Sequence, residues 1–256
     1  MSGNFGLYSQ YYDLLYQDKD YAGEVAYVRS LINQYAQGQV ARVLELGSGT
    51  GIHADLLAKA GLEVHGVELS ETMLTTALER AKANRDRLHF ESGDARTYRA
   101  GRRFDAVLSL FHVLSYQTTT ADLDAMMATA AMHLNDDGLF IFDFWYGPAV
   151  LWQRPGLRVK RWENELVSIL RIAEPELHAP QNVVNVNYTI FSTERASGRT
   201  EKVEETHSMR FLFLDEIERL LNGAGLSMVK AEEWMTGAQP DTGTWGVCVV
   251  ARKDKA

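Results

Sequence analysis

The stretch Val43-Leu44-Glu45-Leu46-Gly47-Ser48-Gly49-Thr50-Gly51 constrains this chain more than any other. An apolar run leads into an acid, then glycine occupies every second position, and a helical pattern opens at Ile52. Glycine lets a backbone turn through left-handed conformations and come close to a ligand. The first turn of a helix leaves N–H groups unpaired and carries a partial positive charge. Together these predict a strand–turn–helix unit whose loop cradles a polar, partly anionic small molecule.

Spacing narrows the ligand. The dinucleotide fingerprint is G-x-G-x-x-G, with a third glycine where the helix packs on the sheet. Here the pattern is G-x-G-x-G and Ile52 stands at that third position, which argues against NAD. His65-Gly66-Val67-Glu68-Leu69-Ser70 predicts the end of a second strand. Glu68 follows the glycines at roughly the 20-residue distance at which a βαβ unit offers an acid to ribose hydroxyls. NAD enzymes share that acid, so it argues for a nucleoside without choosing one. Phe90-Glu91-Ser92-Gly93-Asp94-Ala95 then ends a third strand.

These three motifs, in order and each at a strand's C-terminal end, resemble those of class I S-adenosylmethionine (SAM)-dependent methyltransferases. The resemblance implies SAM as cofactor. It implies that Glu45, Gly47, Ser48, Gly49 and Gly51 surround it and that Glu68 and Leu69 meet its ribose. Gly93, Asp94 and Ala95 would meet the adenine, with Asp94 accepting from the exocyclic amine, and Leu110 completes the set.

Bulk properties exclude several other classes. The 256 residues are 46% hydrophobic, enough for a full core, and the formal charge is −8. An acidic chain disfavours nucleic acid and anionic membranes, both of which need a basic face. No apolar run approaches the roughly 18 residues of a membrane span, and no secretory signal pattern opens the chain. The single cysteine, Cys248, sits in an apolar run and reads as a buried small hydrophobe. A cytoplasmic protein with a small-molecule substrate and no metal site is the expectation; a homodimer is compatible with it.

The periodicity predicts an α/β architecture: a doubly wound, seven-stranded Rossmann-like methyltransferase sheet with a small antiparallel β insertion and an N-terminal helical cap. Residues 1–38 form the cap, with helices over 8–16 and 21–35 and Gly38 as stop. Residues 39–146 and 209–256 form the core within a single domain, and residues 147–208 the insertion. Core strands fall at 42–46, 63–67, 87–91, 104–110 and 139–144, with a hairpin of 227–233 and 245–251 closing the sheet. Helices fall at 52–60, from Ser70 with Leu74, Ala77, Leu78 and Ala81 buried, and at 121–134. Asn135-Asp136-Asp137-Gly138 predicts a turn. Asp215 and Glu218 have the spacing of a capping box for the last helix.

More narrowly, the chain is similar to the N-methyltransferases that act on amino-sugar nucleotides. The likeness rests on Tyr12-Asp13-Leu14-Leu15-Tyr16, the Phe111–Tyr116 segment and Asp143-Phe144-Trp145-Tyr146-Gly147-Pro148. Methyl transfer asks mainly for positioning and a water-poor site, and an amine acceptor must be neutral when it attacks. By resemblance Tyr116 lies beside the acceptor. His112, in the same loop, reads equally as a base or as a structural histidine. Tyr16, Trp145 and Tyr146 read as walls of the sugar pocket or as packing between cap and sheet. Arg158, in a basic cluster with Arg154, Lys160 and Arg161, reads as a pyrophosphate contact or as a solvated strand edge. Transfer to oxygen or carbon, or SAM binding without turnover, are the competing functions.

Overall fold

The computed structural model describes residues 11–255. Eleven strands form one sheet. The first five are β1 (Arg42–Leu46), β2 (Glu63–Glu68), β3 (Leu88–Ser92), β4 (Phe104–Ser109) and β5 (Leu134–Tyr146). Next come β6 (Arg158–Glu163), β7 (Val167–His178), β8 (Val183–Glu194) and β9 (Thr200–Leu212). Last are β10 (Leu226–Glu233) and β11 (Gly246–Lys253). The helices are α1 (Tyr12–Leu15), α2 (Tyr21–Tyr35), α3 (Ile52–Lys59), α4 (Glu71–Ala81), α5 (Thr120–His133), α6 (Gly147–Gln153) and α7 (Leu214–Gly223).

The first five strands run parallel in the order β3-β2-β1-β4-β5. β11 lies antiparallel to β5, and β10 pairs with β11 as the expected hairpin. Winding reverses between β1 and β4, which opens a crevice at the C-terminal ends of those strands. Both faces of the sheet are covered, so the strands read as nearly continuous apolar runs. Leu44, Leu46, Val107 and Phe142 pack with Leu123, Met126 and Met127 of α5 and Leu221 of α7. Val43, Ala106, Leu108 and Ile141 pack with Val28 of α2, Leu57 of α3 and Ala77 of α4. Cys248 is buried in this second layer. No helix among the described residues is long and apolar enough to cross a membrane.

The insertion is the antiparallel meander β6-β7-β8-β9. The end of β9 pairs in parallel with the end of β5, Trp145 with Phe211 and Tyr146 with Leu212, so the meander extends the sheet beside the crevice. In the meander, Ile169, Ala173, Val184, Val186, Met209 and Phe211 are buried.

Several local expectations are corrected. Helix α6 opens the span 147–208 that the sequence assigns to the antiparallel insertion; Pro148 in its first turn is the signal for it, because proline fits that position. The residues 134–138 join β5 as an irregularity in register, with Asp137 at φ 62°, instead of forming a separate turn. Phe213, not Asp215, is the N-cap of α7 and makes no side-chain cap; Glu216 instead pairs with Arg210 of β9. Helix α2 stops at Ala36 in an extended conformation, before Gly38. Leu78 is 46% exposed, and Met73 takes the buried place on α4. Residues 8–10 of the first predicted helix lie outside the described residues; α1 covers Tyr12–Leu15.

One packing knot tests this fold. A Cβ on Gly51 would lie 2.5 Å from the Phe90 ring, and a Cβ on Gly66 would collide with the same ring. Overpacking of this kind costs about 1–3 kcal/mol. Gly66→Ala therefore lowers the melting temperature, and adding Phe90→Leu restores part of the loss by removing the obstacle. Strict additivity of the two changes in a double-mutant cycle would refute the knot.

Candidate functional site

The crevice is organised by two adjacent residues at the end of β2. The Val67 carbonyl accepts from the backbone N–H groups of Gly47 (2.8 Å) and Ser48 (3.0 Å), and the Glu68 carbonyl accepts from that of Gly93 (3.0 Å). The Glu68 carboxylate accepts from Gly49 N (2.8 Å) through Oε2 and from Ser70 N (2.8 Å) through Oε1. Three loops are thus bonded to one dipeptide. Burial raises the Glu68 carboxyl above its ordinary value, while the Ser70 and Gly49 N–H groups pull it back down. Gly47, Gly49 and Gly51 all sit at positive φ, where a side chain is strained. At Gly47 a Cβ would also meet Val113 at 2.6 Å. At Gly49 a Cβ would meet no described residue closer than Met73 Sδ at 4.0 Å, so the described residues do not fill that cradle.

The structure brings Asp94 to the same rim in a charge network. Arg96 grips it through Nε at 2.9 and 3.1 Å and through Nη2 at 2.5 Å, and reaches Asp122 with Nη1 at 2.7 Å. The Arg96 hydrogen bonds hold the Asp94 carboxyl below its usual range. Leu69 is 60% exposed, Ala95 packs against the α5-side core, and Leu110 is buried in the α2-side core.

Near the glycine loop lie buried polar atoms with no hydrogen-bond partner among the described residues. Glu45 Oε2 at the end of β1 and Ser109 Oγ at the end of β4 are both in this state. Burial pushes the Glu45 carboxyl up to about 8, with the Glu68 charge adding and Lys19 opposing. A SAM-type cofactor suits this donor and acceptor set: a ribose acid, an open glycine cradle and an unpaired buried carboxylate for a cationic group. A hollow of about 360 Å³ at the opposite ends of the strands, lined by Arg29, Asn33 and Gly61, contains none of these residues.

The cap closes over the rim. Asp13 accepts from Thr50 Oγ1 at 2.6 Å and from Arg80 Nη2 at 2.8 Å, pinning α1 to the glycine loop. Tyr16 meets the Phe111 ring edge-on at 5.1 Å and receives Arg171 Nη1 at 3.4 Å. Lys19 pairs with Glu24 and lies 4.4 Å above the Tyr21 and Phe111 rings. Phe111 and His112 both hold positive φ, a strained pair of a kind that clusters at functional sites. The His112 N–H faces the buried Asp143 carboxylate at 3.1 Å; its Nδ1 lies 2.6 Å from Asp143 Oδ2, off the line of a good hydrogen bond.

Tyr116 ends the 3₁₀ turn Val113–Tyr116 and packs with Trp145 against the insertion's core. Trp145 N donates to Ser115 Oγ at 3.0 Å. Tyr146, the next residue along β5, points to the other face, into the α5-side core beside Asp215, and so is separated from Tyr116 and Trp145. Arg158 is exposed on β6, and its charge reaches Tyr188. Sequence reasoning missed Arg171 and His207, both buried on the insertion's inner face. Arg171 lies 5.7 Å from the Tyr16 ring and 5.2 Å from that of Tyr188, and His207 meets Tyr116. The alternation of Glu205, His207, Met209 and Phe211 on β9 was the available signal.

Comparison with known proteins bears on the family and the fold. Residues 43–138 match the methyltransferase-domain family. A dTDP-3-amino-3,6-dideoxy-alpha-D-glucopyranose N,N-dimethyltransferase of Streptomyces fradiae is 30% identical over 241 residues, 93% of this chain and 89% of that protein. Among solved structures, DesVI of Streptomyces venezuelae superposes with a TM-score of 0.78 at 24% identity, covering 94% of this chain and 97% of that one. An S-adenosylmethionine-dependent methyltransferase of Clostridium acetobutylicum gives 0.82 at 19% identity, covering 97% and 98%.

The raised Glu45 carboxyl has a consequence for stability. A carboxyl with a folded-state value above its ordinary 4.5 binds its proton more tightly when folded. Its contribution is fully present below about 4.5 and is lost as pH rises through about 8. Glu45→Gln therefore raises the melting temperature of the ligand-free protein at pH 8 and flattens the decline between those limits. A variant whose pH–stability curve runs parallel to that of the wild type would show that Glu45 is charged throughout.

Proposed function

The chain belongs to the class I SAM-dependent methyltransferases, and from that premise we propose that it methylates the amine of a nucleotide-linked amino sugar. The observation that carries the reading is the near full-length similarity to an enzyme named for that reaction, combined with an aromatic chamber over the Glu68 rim. SAM, when bound, supplies an electrophilic sulfonium methyl. The chain's own part is to hold, orient and exclude water.

In this reading Glu68 accepts from the ribose hydroxyls with the lone pairs that Gly49 and Ser70 leave over. Asp94, oriented by Arg96, and the Gly93–Ala95 backbone take the adenine. Glu45 and the Gly47–Gly51 loop take the charged amino-acid end, where an unpaired buried carboxylate favours a cation. Leu69 and Leu110 border the cofactor. Tyr16, Trp145 and Tyr116 wall the acceptor, and His112, set by Asp143, faces the same chamber. Arg158 and the buried Arg171 offer positive charge to a diphosphate. Nothing in the geometry favours transfer to oxygen or carbon over transfer to an amine.

Incubation with SAM and a panel of nucleotide-linked amino sugars is expected to add one or two methyl groups to the amine, read by mass spectrometry. Turnover restricted to acceptors without an amine would overturn the proposal. Glu68→Ala tests the cofactor assignment separately. Hydrogen bonds to a charged acceptor contribute about 1.5–3 kcal/mol each, so SAM affinity falls on the order of 100-fold by calorimetry. Unchanged affinity in a folded variant would move the ribose contact elsewhere.

A further inference from the structure

Beside Tyr116 stands a buried histidine that the proposed cofactor chemistry leaves unused. His207 on β9 is 1% exposed. Its Nδ1 lies 3.0 Å from the Tyr116 hydroxyl, and its Nε2 lies 3.4 Å from Glu205 Oε2. These two contacts agree on one arrangement of protons. A carboxylate only accepts, so Nε2 carries the hydrogen and Nδ1 is left as an acceptor for the phenol O–H. The three groups come from two distant parts of the chain. Tyr116 belongs to the turn after β4, while Glu205 and His207 share the inner face of β9 beside Tyr188 and Val186 of β8. The row ends at the chamber, where Tyr16 and Glu68 act on the Tyr116 phenol.

We propose that His207, oriented by Glu205, is a positioning residue that acts through Tyr116 to take the proton from the bound acceptor ammonium. The inference rests on the amine-methylating reading above. An amino sugar is largely protonated near neutral pH, and an ammonium has no lone pair with which to attack. In the step proposed, an ammonium N–H bond breaks and its proton passes to the Tyr116 oxygen. The Tyr116 O–H bond breaks in turn, and that proton forms a bond to His207 Nδ1. The imidazolium so formed keeps its Nε2–H toward the Glu205 carboxylate, and the amine retains the electron pair it needs. No other reactant is required.

The surroundings suit a relay better than a lone phenolate. Burial, then Tyr188, Tyr16, Glu68 and Glu205, raise the Tyr116 phenol well above its usual value. Such a group does not hold a negative charge, so a proton reaching it must be passed on. Among the described residues, the titratable and charged groups facing the row come from the cap and the strands. Tyr12 and Tyr16 come from the cap, Glu68 from β2, Tyr188 from β8 and Glu205 from β9, while Arg171 and Arg158 act on Tyr188. The Tyr188 ring meets that of His207 edge-on at 5.0 Å and fixes its plane.

The test compares the pH dependence of kcat for the wild type with His207→Gln and Glu205→Gln. Glutamine at 207 still accepts from the Tyr116 hydroxyl but takes no proton. Proton transfer by a positioned group contributes typically 10²–10⁴-fold, and action through a second residue puts the expected loss of kcat at neutral pH at roughly 10- to 100-fold. The deficit shrinks at alkaline pH, where the amine is already neutral, and SAM affinity and melting temperature stay near wild type. Glu205→Gln gives a smaller loss of the same shape. A wild-type pH profile in His207→Gln, or a loss equal at every pH, would overturn the relay. Nitrogen-15 NMR of the full-length wild type reads the proton arrangement without any acceptor. Hydrogen on Nε2 supports the relay and hydrogen on Nδ1 overturns it. If no amino-sugar nucleotide is methylated by the wild type, the proposed acceptor fails and the NMR result alone decides the relay.

Discussion

Five N–H groups converge on the last two residues of β2, and the rim of the crevice depends on that convergence. The Val67 and Glu68 carbonyls hold the glycine loop and Gly93, and the Glu68 carboxylate clamps Gly49 to Ser70. Each bond contributes modestly, about 0.5–1.5 kcal/mol for a neutral pair and more for a charged acceptor. Their arrangement matters more than their sum. The loops after β1, β2 and β3 share acceptors, so one cannot shift without breaking bonds to the others. A ligand held by all three therefore meets a preorganised surface, and little of its binding free energy is diverted to ordering loops.

What stands over that rim comes from the two ends of the fold's irregularity. The cap reaches the glycine loop through Asp13, and the insertion reaches the cap through Arg171 and Tyr16. Aromatic edges fill the space between them, with Tyr12, Tyr16 and Phe111 in sequence of contact. A chamber of this kind excludes water and lowers the local dielectric, which strengthens any charge interaction inside it. The doubly wound sheet is the rigid half of the rim, and on the proposed reading the cap and meander enclose the acceptor.

The rigid half was legible in the sequence because its signals are local. Glu45 to Gly51, Glu68 and Gly93–Asp94 each sit at a strand end, and a fixed topology brings strand ends together. Buried parallel strands such as Phe104–Ser109 announce themselves as apolar runs. The variable half was not legible in the same way. His207 and Glu205 look like solvent-facing residues of a polar strand until the pairing of β8 with β9 sets them on the buried face with Met209 and Phe211. Tyr146 reads together with Trp145 as pocket wall or as packing, although neighbours along a strand point to opposite faces. Arg158 drew attention as part of a charge cluster, whereas burial singles out Arg171, an isolated cation in sequence. The capping box failed at Asp215 because Phe213 already occupies the N-cap, and Glu216 is used to hold Arg210.

Charge ties the two halves to the cofactor. The chain is acidic overall, yet the acids that matter are those withdrawn from water: Glu45, Glu68 and Asp143 are 1%, 7% and 1% exposed. A buried anion without a full partner is costly, and here the Lys19 charge that acts on Glu45 is itself committed to Glu24, with burial lowering its ammonium below the usual value. A cationic ligand relieves that cost, so binding it favours the ionised form of Glu45. By reciprocity the ionised form favours the ligand. Affinity for a sulfonium with a free ammonium should then strengthen across the range in which Glu45 loses its proton, whereas the neutralised product of methyl transfer gains less from the same acids. On the proposed reading these carboxylates favour the sulfonium donor, which carries one more positive charge than its thioether product.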